Sequence, residues 1–139
     1  MERAFLSYTK KVYEYFQNPV NVGEIKNADA VGTAGSVICG DMMKMYMKVK
    51  DNRIENLKFL SFGCAANIAA GSAITELAIG QTVEEAEKIT MKDVVKKLGG
   101  LPKIKVHCGV LAADALREVI KAYKEKRKNA KGIQGSRKS

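Results

Sequence analysis

The sequence predicts an α+β fold, a small three-stranded antiparallel sheet with helices packed on one face. Three observations predict it. Met43, Met45, Met47 and Val49 alternate with Lys44, Tyr46, Lys48 and Lys50, the period of two that marks a strand with one wet face. After Gly63 the apolar period changes to that of helices and stays so. Strands are grouped and helices are grouped, which suits helices laid on one side of an antiparallel sheet rather than alternating βαβ units.

The elements follow in order. "FLSYTKKVYEYFQNP" reads as a short helix stopped at Asn18-Pro19, because a residue before proline is pushed out of the α region. "VNVGEIKNADAVGTAG" lacks a helical period and reads as loop. The alternating strand turns at Asp51-Asn52-Arg53 and returns as "IENLKFLSF", a hairpin. "GSVICG", just before it, is the expected third strand. "CAANIAAGSAITELAIG" is an alanine-rich helix that stops at Gly80. Thr82 with Glu85, and Thr90 with Asp93, have capping-box spacing and start two short helices. In the last helix Leu116, Val119, Ile120 and Tyr123 mark one apolar face.

At 139 residues, with 46% apolar and 28% charged content, the chain fits one domain with a single core. No stretch reaches the roughly 18 uninterrupted apolar residues of a membrane span. The opening "MERAFLSYTKKVYEYF" has no apolar signal-peptide core. Together with three cysteines, an odd number, this argues for reduced thiols in the cytoplasm rather than a disulfide framework. The net charge of +9 is concentrated at one end, since residues 124–139 carry seven Lys or Arg and one Glu. Residues 1–126 are therefore read as the folded domain and 127–139 as a basic, disordered tail. The body lacks the basic face with interleaved aromatics that single-strand binders use, so no nucleic-acid partner is expected.

The cysteines concentrate the chemistry. Any one of them alone would read as a small buried hydrophobe. Yet Cys39 ends an apolar run before Gly40, Cys64 opens the alanine-rich helix, and Cys108 opens the last one. A thiol at a helix N-terminus is shifted toward thiolate, the form that binds metal and attacks sulfur. Asp41 lies two residues after Cys39, and His107, the only histidine, directly precedes Cys108. Three thiols with an imidazole or a carboxylate suit zinc or iron. The intervals of 25 and 44 residues between cysteines exclude a C-x-x-C knuckle, and no fourth cysteine exists for an all-thiolate iron–sulfur centre. A cluster held this way would be readier to leave.

The ordered set "NPVNVG" at 18–23, "CGD" at 39–41, "FGCAANIAAGS" at 62–72 and "LPKIKVHC" at 101–108 resembles the iron–sulfur cluster assembly scaffold family, IscU, also known as the N-terminal domain of NifU. The resemblance extends from about Tyr8 to about Lys126. It implies a scaffold rather than an enzyme, on which a [2Fe-2S] cluster is built from iron and from persulfide sulfur delivered by a cysteine desulfurase. The cluster then passes to apo-proteins. The resemblance carries the ligand set onto Cys39, Asp41, Cys64, His107 and Cys108, with Asp41 and His107 as alternatives for the fourth position. It makes Cys108 the persulfide acceptor and Lys105 an assisting residue, and it allows zinc in place of iron.

Two departures stand out. The family's Hsp70-recognition stretch usually reads Leu-Pro-Pro-Val-Lys, where this chain has Leu101-Pro102-Lys103-Ile104-Lys105. Loss of the second proline removes a fixed extended backbone and argues against a dedicated chaperone partner. Bacterial members more often carry Gly-Ser-Ala after the second cysteine, where this chain has Ala65-Ala66-Asn67, and no change in ligation is expected from that. The reading leaves open whether a cluster is held in one subunit or shared in a homodimer. The alternative from another class is a binding module with a structural zinc held by the same residues.

Overall fold

The computed structural model describes residues 8–36 and 40–138, with side chains through residue 129. Helix α1 (Lys10–Gln17) is followed by strands β1 (Ala30–Ser36), β2 (Asp41–Lys50) and β3 (Arg53–Phe62). Helices α2 (Ala65–Ala78), α3 (Val83–Ala86) and α4 (Met91–Lys97) come next, then a 3₁₀ turn (Lys103–Lys105) and the long helix α5 (Val106–Lys138). The three strands pair antiparallel in the order β1-β2-β3, and helices α2 and α5 lie on the sheet. This is the α+β arrangement that the sequence predicts.

The β2–β3 turn is tight because Asp51 and Asn52 both take positive φ, 52° and 62°, the conformation of a type I′ hairpin turn, which short polar residues tolerate. The alternation of β2 buries Met43, Met45 and Met47 completely. They join Leu57 and Phe59 of β3, the alanines of α2, and Leu116, Val119 and Ile120 of α5 in one core. Small residues let the layers approach closely. A Cβ on Gly32 of β1 would stand 2.3 Å from the Val119 backbone nitrogen, and one on Gly71 of α2 would stand 2.4 Å from the Phe59 ring. The capping boxes at Thr82/Glu85 and Thr90/Asp93 both form.

Three expectations meet a different structure. The third strand is not "GSVICG": it begins at Ala30, inside the segment read as loop, and ends at Ser36, while residues 37–39 lie outside the described residues. Its two Ala and two Gly residues carry little strand propensity, so pairing with β2 and packing under α5 decide the conformation. The expected wet face of β2 is partly covered, since Tyr46 is only 6% exposed and its hydroxyl donates to Glu24 Oε2 at 2.9 Å. Finally, the backbone of α5 continues through residues 127–138, the segment read as disordered. Lys, Arg, Ala and Gln are good helix formers, so a solvated composition does not separate helix from coil.

Helix α1 fixes the chain's entry. Thr9 is its N-cap, accepting from the Val12 N–H at 3.2 Å, and the Thr9 hydroxyl also donates to the Leu98 carbonyl after α4. Val12 and Tyr15 are buried, and the Tyr15 hydroxyl donates to Glu76 of α2. The helix ends at Gln17, before Asn18-Pro19, as the sequence predicts.

Candidate metal centre

Three element ends meet at one edge of the sheet. Cys64 is the N-cap of α2, with extended backbone (φ −86°, ψ 178°), and its carbonyl accepts from the Asn67 N–H at 3.0 Å. Cys108 lies in the first turn of α5, fully buried. Their sulfurs stand 3.8 Å apart, and both thiols are free. Asp41 is the first residue of β2, paired with Ser36 across the ladder. His107, half-exposed, reaches it with Nε2 3.2 Å from Asp41 Oδ2. The same Nε2 is 3.7 Å from Cys108 Sγ, and Nδ1 is 3.1 Å from the Ile104 carbonyl oxygen. Asp41, His107, Cys108 and Cys64 therefore form one unbroken run of contacts. The run is not yet a closed cage: among the described residues no group of three or more His, Cys, Asp and Glu side chains is arranged to hold an ion as it stands.

Lys105, at the end of the 3₁₀ turn, places Nζ 3.6 Å from Cys64 Sγ. Both the resemblance and the structure bring this lysine to the centre, and the structure aims it at Cys64. The two thiols differ in consequence. Burial pushes the Cys64 thiol up, but the Asn67 and Ala66 N–H groups, the Cys108 thiol and the Lys105 charge outweigh it and hold Cys64 below the ordinary thiol range. Cys108 is pushed up to about 12 by burial first and then by charge on Cys64, with Asp41 adding and Lys105 opposing. Charge on Cys64 in turn raises the Lys105 ammonium. Of the two described thiols, Cys64 is thus the one held nearer to thiolate.

Of the predicted site residues, the structure brings together Asp41, Cys64, Lys105, His107 and Cys108; Cys39 lies outside the described residues. Sequence reasoning assigned no role to three others. Tyr8 is raised by burial and then by charge on Cys64, with Lys105 opposing, which places its hydroxyl in the field of the centre. Gly63 leaves room for the carboxylate, since a Cβ there would stand 2.7 Å from Asp41 Oδ1. Asn67 is wholly buried beside it. Gly63 and Asn67 lie inside the quoted motif, but spacing alone gives no sign of what they touch. A cleft of about 360 Å³, lined by Gly35, Asp41, His107, Val110 and Asp114 among others, opens beside the centre. Larger clefts, of about 420 and 530 Å³, lie elsewhere and are lined by no thiol or imidazole.

Thiols, an imidazole, a carboxylate and an ammonium thus meet at the ends of three segments of an α+β fold. The chain belongs to the family of the NifU-like N-terminal domain, whose model matches residues 7–130. It is 60% identical over 124 residues to iron–sulfur cluster assembly scaffold protein IscU 1 of Archaeoglobus fulgidus, covering 89% of this chain and 80% of that one. It is 42% identical over 130 residues to the scaffold protein IscU of Rickettsia prowazekii, covering 91% and 98%. Among solved structures it resembles a NifU-like N-terminal protein from Brucella abortus, with TM-score 0.68, 22% identity and coverage of 90% and 98%. A scaffold protein from Fervidobacterium islandicum AW-1 gives 0.67 at 22% identity, covering 84% and 98%. These two likenesses establish the fold.

Proposed function

We propose that this protein is a scaffold on which an iron–sulfur cluster, of the [2Fe-2S] type, is assembled from iron and persulfide sulfur and then handed to apo-proteins. One observation carries the reading. Side chains from three separate segments, all with metal- or sulfur-binding chemistry, stand in contact at 3.2, 3.7 and 3.8 Å. The relatives' names support it, as does the mixed donor set, in which a hard carboxylate among soft thiolates is a weak link.

In this account Cys39, Cys64 and Cys108 supply thiolates. With Nδ1 3.1 Å from the Ile104 carbonyl, His107 would offer Nε2 to a metal in exchange for its metal-free contact with Asp41 Oδ2. Zinc suits the same donors in place of iron.

Sulfur arrives as the persulfide of a cysteine desulfurase. A thiolate of the scaffold attacks the outer sulfur, a new S–S bond forms as the donor's breaks, and the donor leaves as thiolate, so no oxidant is consumed. With the centre empty, that thiolate is most accessible at Cys64. Cys108, whose proton is held on by burial first and by charge on Cys64 second, would become the acceptor where a bound cation offsets both. Partners dock around the centre, where Phe62, Ile104 and Val110 are 54%, 59% and 40% exposed. Unbridged thiols suit a reducing compartment, the cytoplasm.

Anaerobic reconstitution tests this function. The protein is incubated with ferrous iron, cysteine, a thiol reductant and a cysteine desulfurase, and apo-ferredoxin is then added. Visible charge-transfer bands should form and pass to the ferredoxin. Absence of a chromophore, with one zinc retained through mild chelation, would favour the structural-zinc module instead.

A further inference from the structure

Asn67 sits in the first turn of α2, three residues after Cys64, and is wholly buried. Its Nδ2 donates to Ser61 Oγ at 2.8 Å. Its Oδ1 is, among the described residues, the one buried side-chain polar atom with no hydrogen-bond partner. A buried carboxamide with an unmet acceptor is a liability to the fold, and an alanine like Ala65 or Ala66 would carry none. The half of the side chain that is used is the donor half. It borders the same gap as Asp41, with no hydrogen bond between the two in this structure: the point where a Gly63 Cβ would stand is 2.9 Å from Asn67 Nδ2 and 2.7 Å from Asp41 Oδ1. Amide nitrogen and carboxylate oxygen share the space that the glycine leaves open. The opposite orientation of the carboxamide would turn an oxygen toward the carboxylate.

We infer that Asn67 is a positioning residue for Asp41, its carboxamide steadying Oδ1 so that Oδ2 faces His107 and an incoming ion. One N–H of Nδ2 serves Ser61 at 2.8 Å, and the other is left to meet Asp41 Oδ1 when the carboxylate turns to an ion. The carboxylate is thereby steadied from both ends, by the carboxamide behind it and by the imidazole 3.2 Å in front. Gly63 is the third part of the device, because any side chain there would part the two groups. The inference rests on the reading of Asp41 as a metal donor.

A double-mutant cycle tests it, with Zn²⁺ alone as the probe and affinity measured by competition with a chromophoric chelator. Loss of an outer partner of a metal ligand typically weakens binding by about 10- to 100-fold. Because Asp41 stays partly solvated, N67A should fall at the lower end, about tenfold. D41A should weaken binding at least as much, and the N67A/D41A double variant should bind no worse than D41A alone. The N67A melting midpoint should stay near that of the wild type. Should N67A fold poorly, N67S, whose hydroxyl is too short to reach Asp41, carries the same expectations. An equal loss from N67A in both backgrounds would overturn the inference, because Asn67 would then act through α2 or Cys64. Wild-type affinity in N67A with weakened D41A would overturn the inference alone. Unchanged affinity in D41A would overturn the reading beneath it, and the inference with it.

Discussion

Alanine at Gly63 would put a methyl group 2.7 Å from Asp41 Oδ1 and 2.9 Å from Asn67 Nδ2. Comfortable contacts lie at about 3.5 Å, so the carboxylate must retreat by several tenths of an ångström and loosen its 3.2 Å contact with His107. That pair is 52% and 32% exposed, and solvent-screened pairs of this kind contribute about 0–1 kcal/mol. Gly63 is not among the glycines at positive φ, so alanine is conformationally tolerated and gains about 0.4–1 kcal/mol by restricting the unfolded chain. The two terms offset, and the melting midpoint should move by no more than a few degrees. The centre should suffer more. With Asp41 displaced, Zn²⁺ affinity should fall about tenfold, equivalent to about 1.4 kcal/mol. Calorimetric melting and chelator competition on the same preparation read both quantities. Unchanged affinity, or a collapse of the fold by more than about 3 kcal/mol, would refute the assignment of Gly63 to the centre rather than to the core.

Replacing Asp41 with alanine should make an assembled cluster longer-lived and slow its transfer to apo-ferredoxin, read from the decay of visible absorbance with and without acceptor; faster loss would make Asp41 an ordinary anchoring ligand. In metal-free protein at pH 8, iodoacetamide should modify Cys64 at least tenfold faster than Cys108 by peptide mapping, because Cys64 is held below the ordinary thiol range and Cys108 is pushed up to about 12. The sign follows from thiolate content: raising the pH toward 12 deprotonates Cys108 and should narrow the gap, and equal rates at pH 8 would contradict the asymmetry. Chelator-stripped protein should keep its far-UV helical signal and a cooperative melt, because the core is closed by apolar side chains such as Met43, Phe59 and Ile120; an unfolded apo-protein would instead mark a structural zinc.

Much of this arrangement was legible because it is written in period and punctuation. The methionine alternation of β2, the Asp51-Asn52 turn, the stop at Asn18-Pro19 and the two capping boxes each depend on neighbours in sequence. Strand β1 was not, because Gly32 and Ala34 say nothing of a strand until β2 and α5 close on them. The same limit applies to Tyr46, whose burial depends on Glu24, a residue 22 positions away. At the centre, the donor residues were legible from their rarity and their places at element ends. Their differences were not. Lys105 turns to Cys64 rather than to its near neighbour Cys108, and the two thiols separate in acidity, only once α2 and α5 are docked. Asn67 stood in a segment expected to leave ligation unchanged, and only its bond to Ser61 and its place beside Gly63 set it apart from Ala65 and Ala66.

The most direct test of the central claim is the Mössbauer spectrum of protein reconstituted with ⁵⁷Fe. The account predicts a diamagnetic [2Fe-2S] centre with two unequal iron sites, one wholly sulfur-ligated and one carrying an oxygen or nitrogen donor, and both signals should move to apo-ferredoxin when it is added. Two equivalent all-sulfur sites, or mononuclear iron that never pairs, would contradict it.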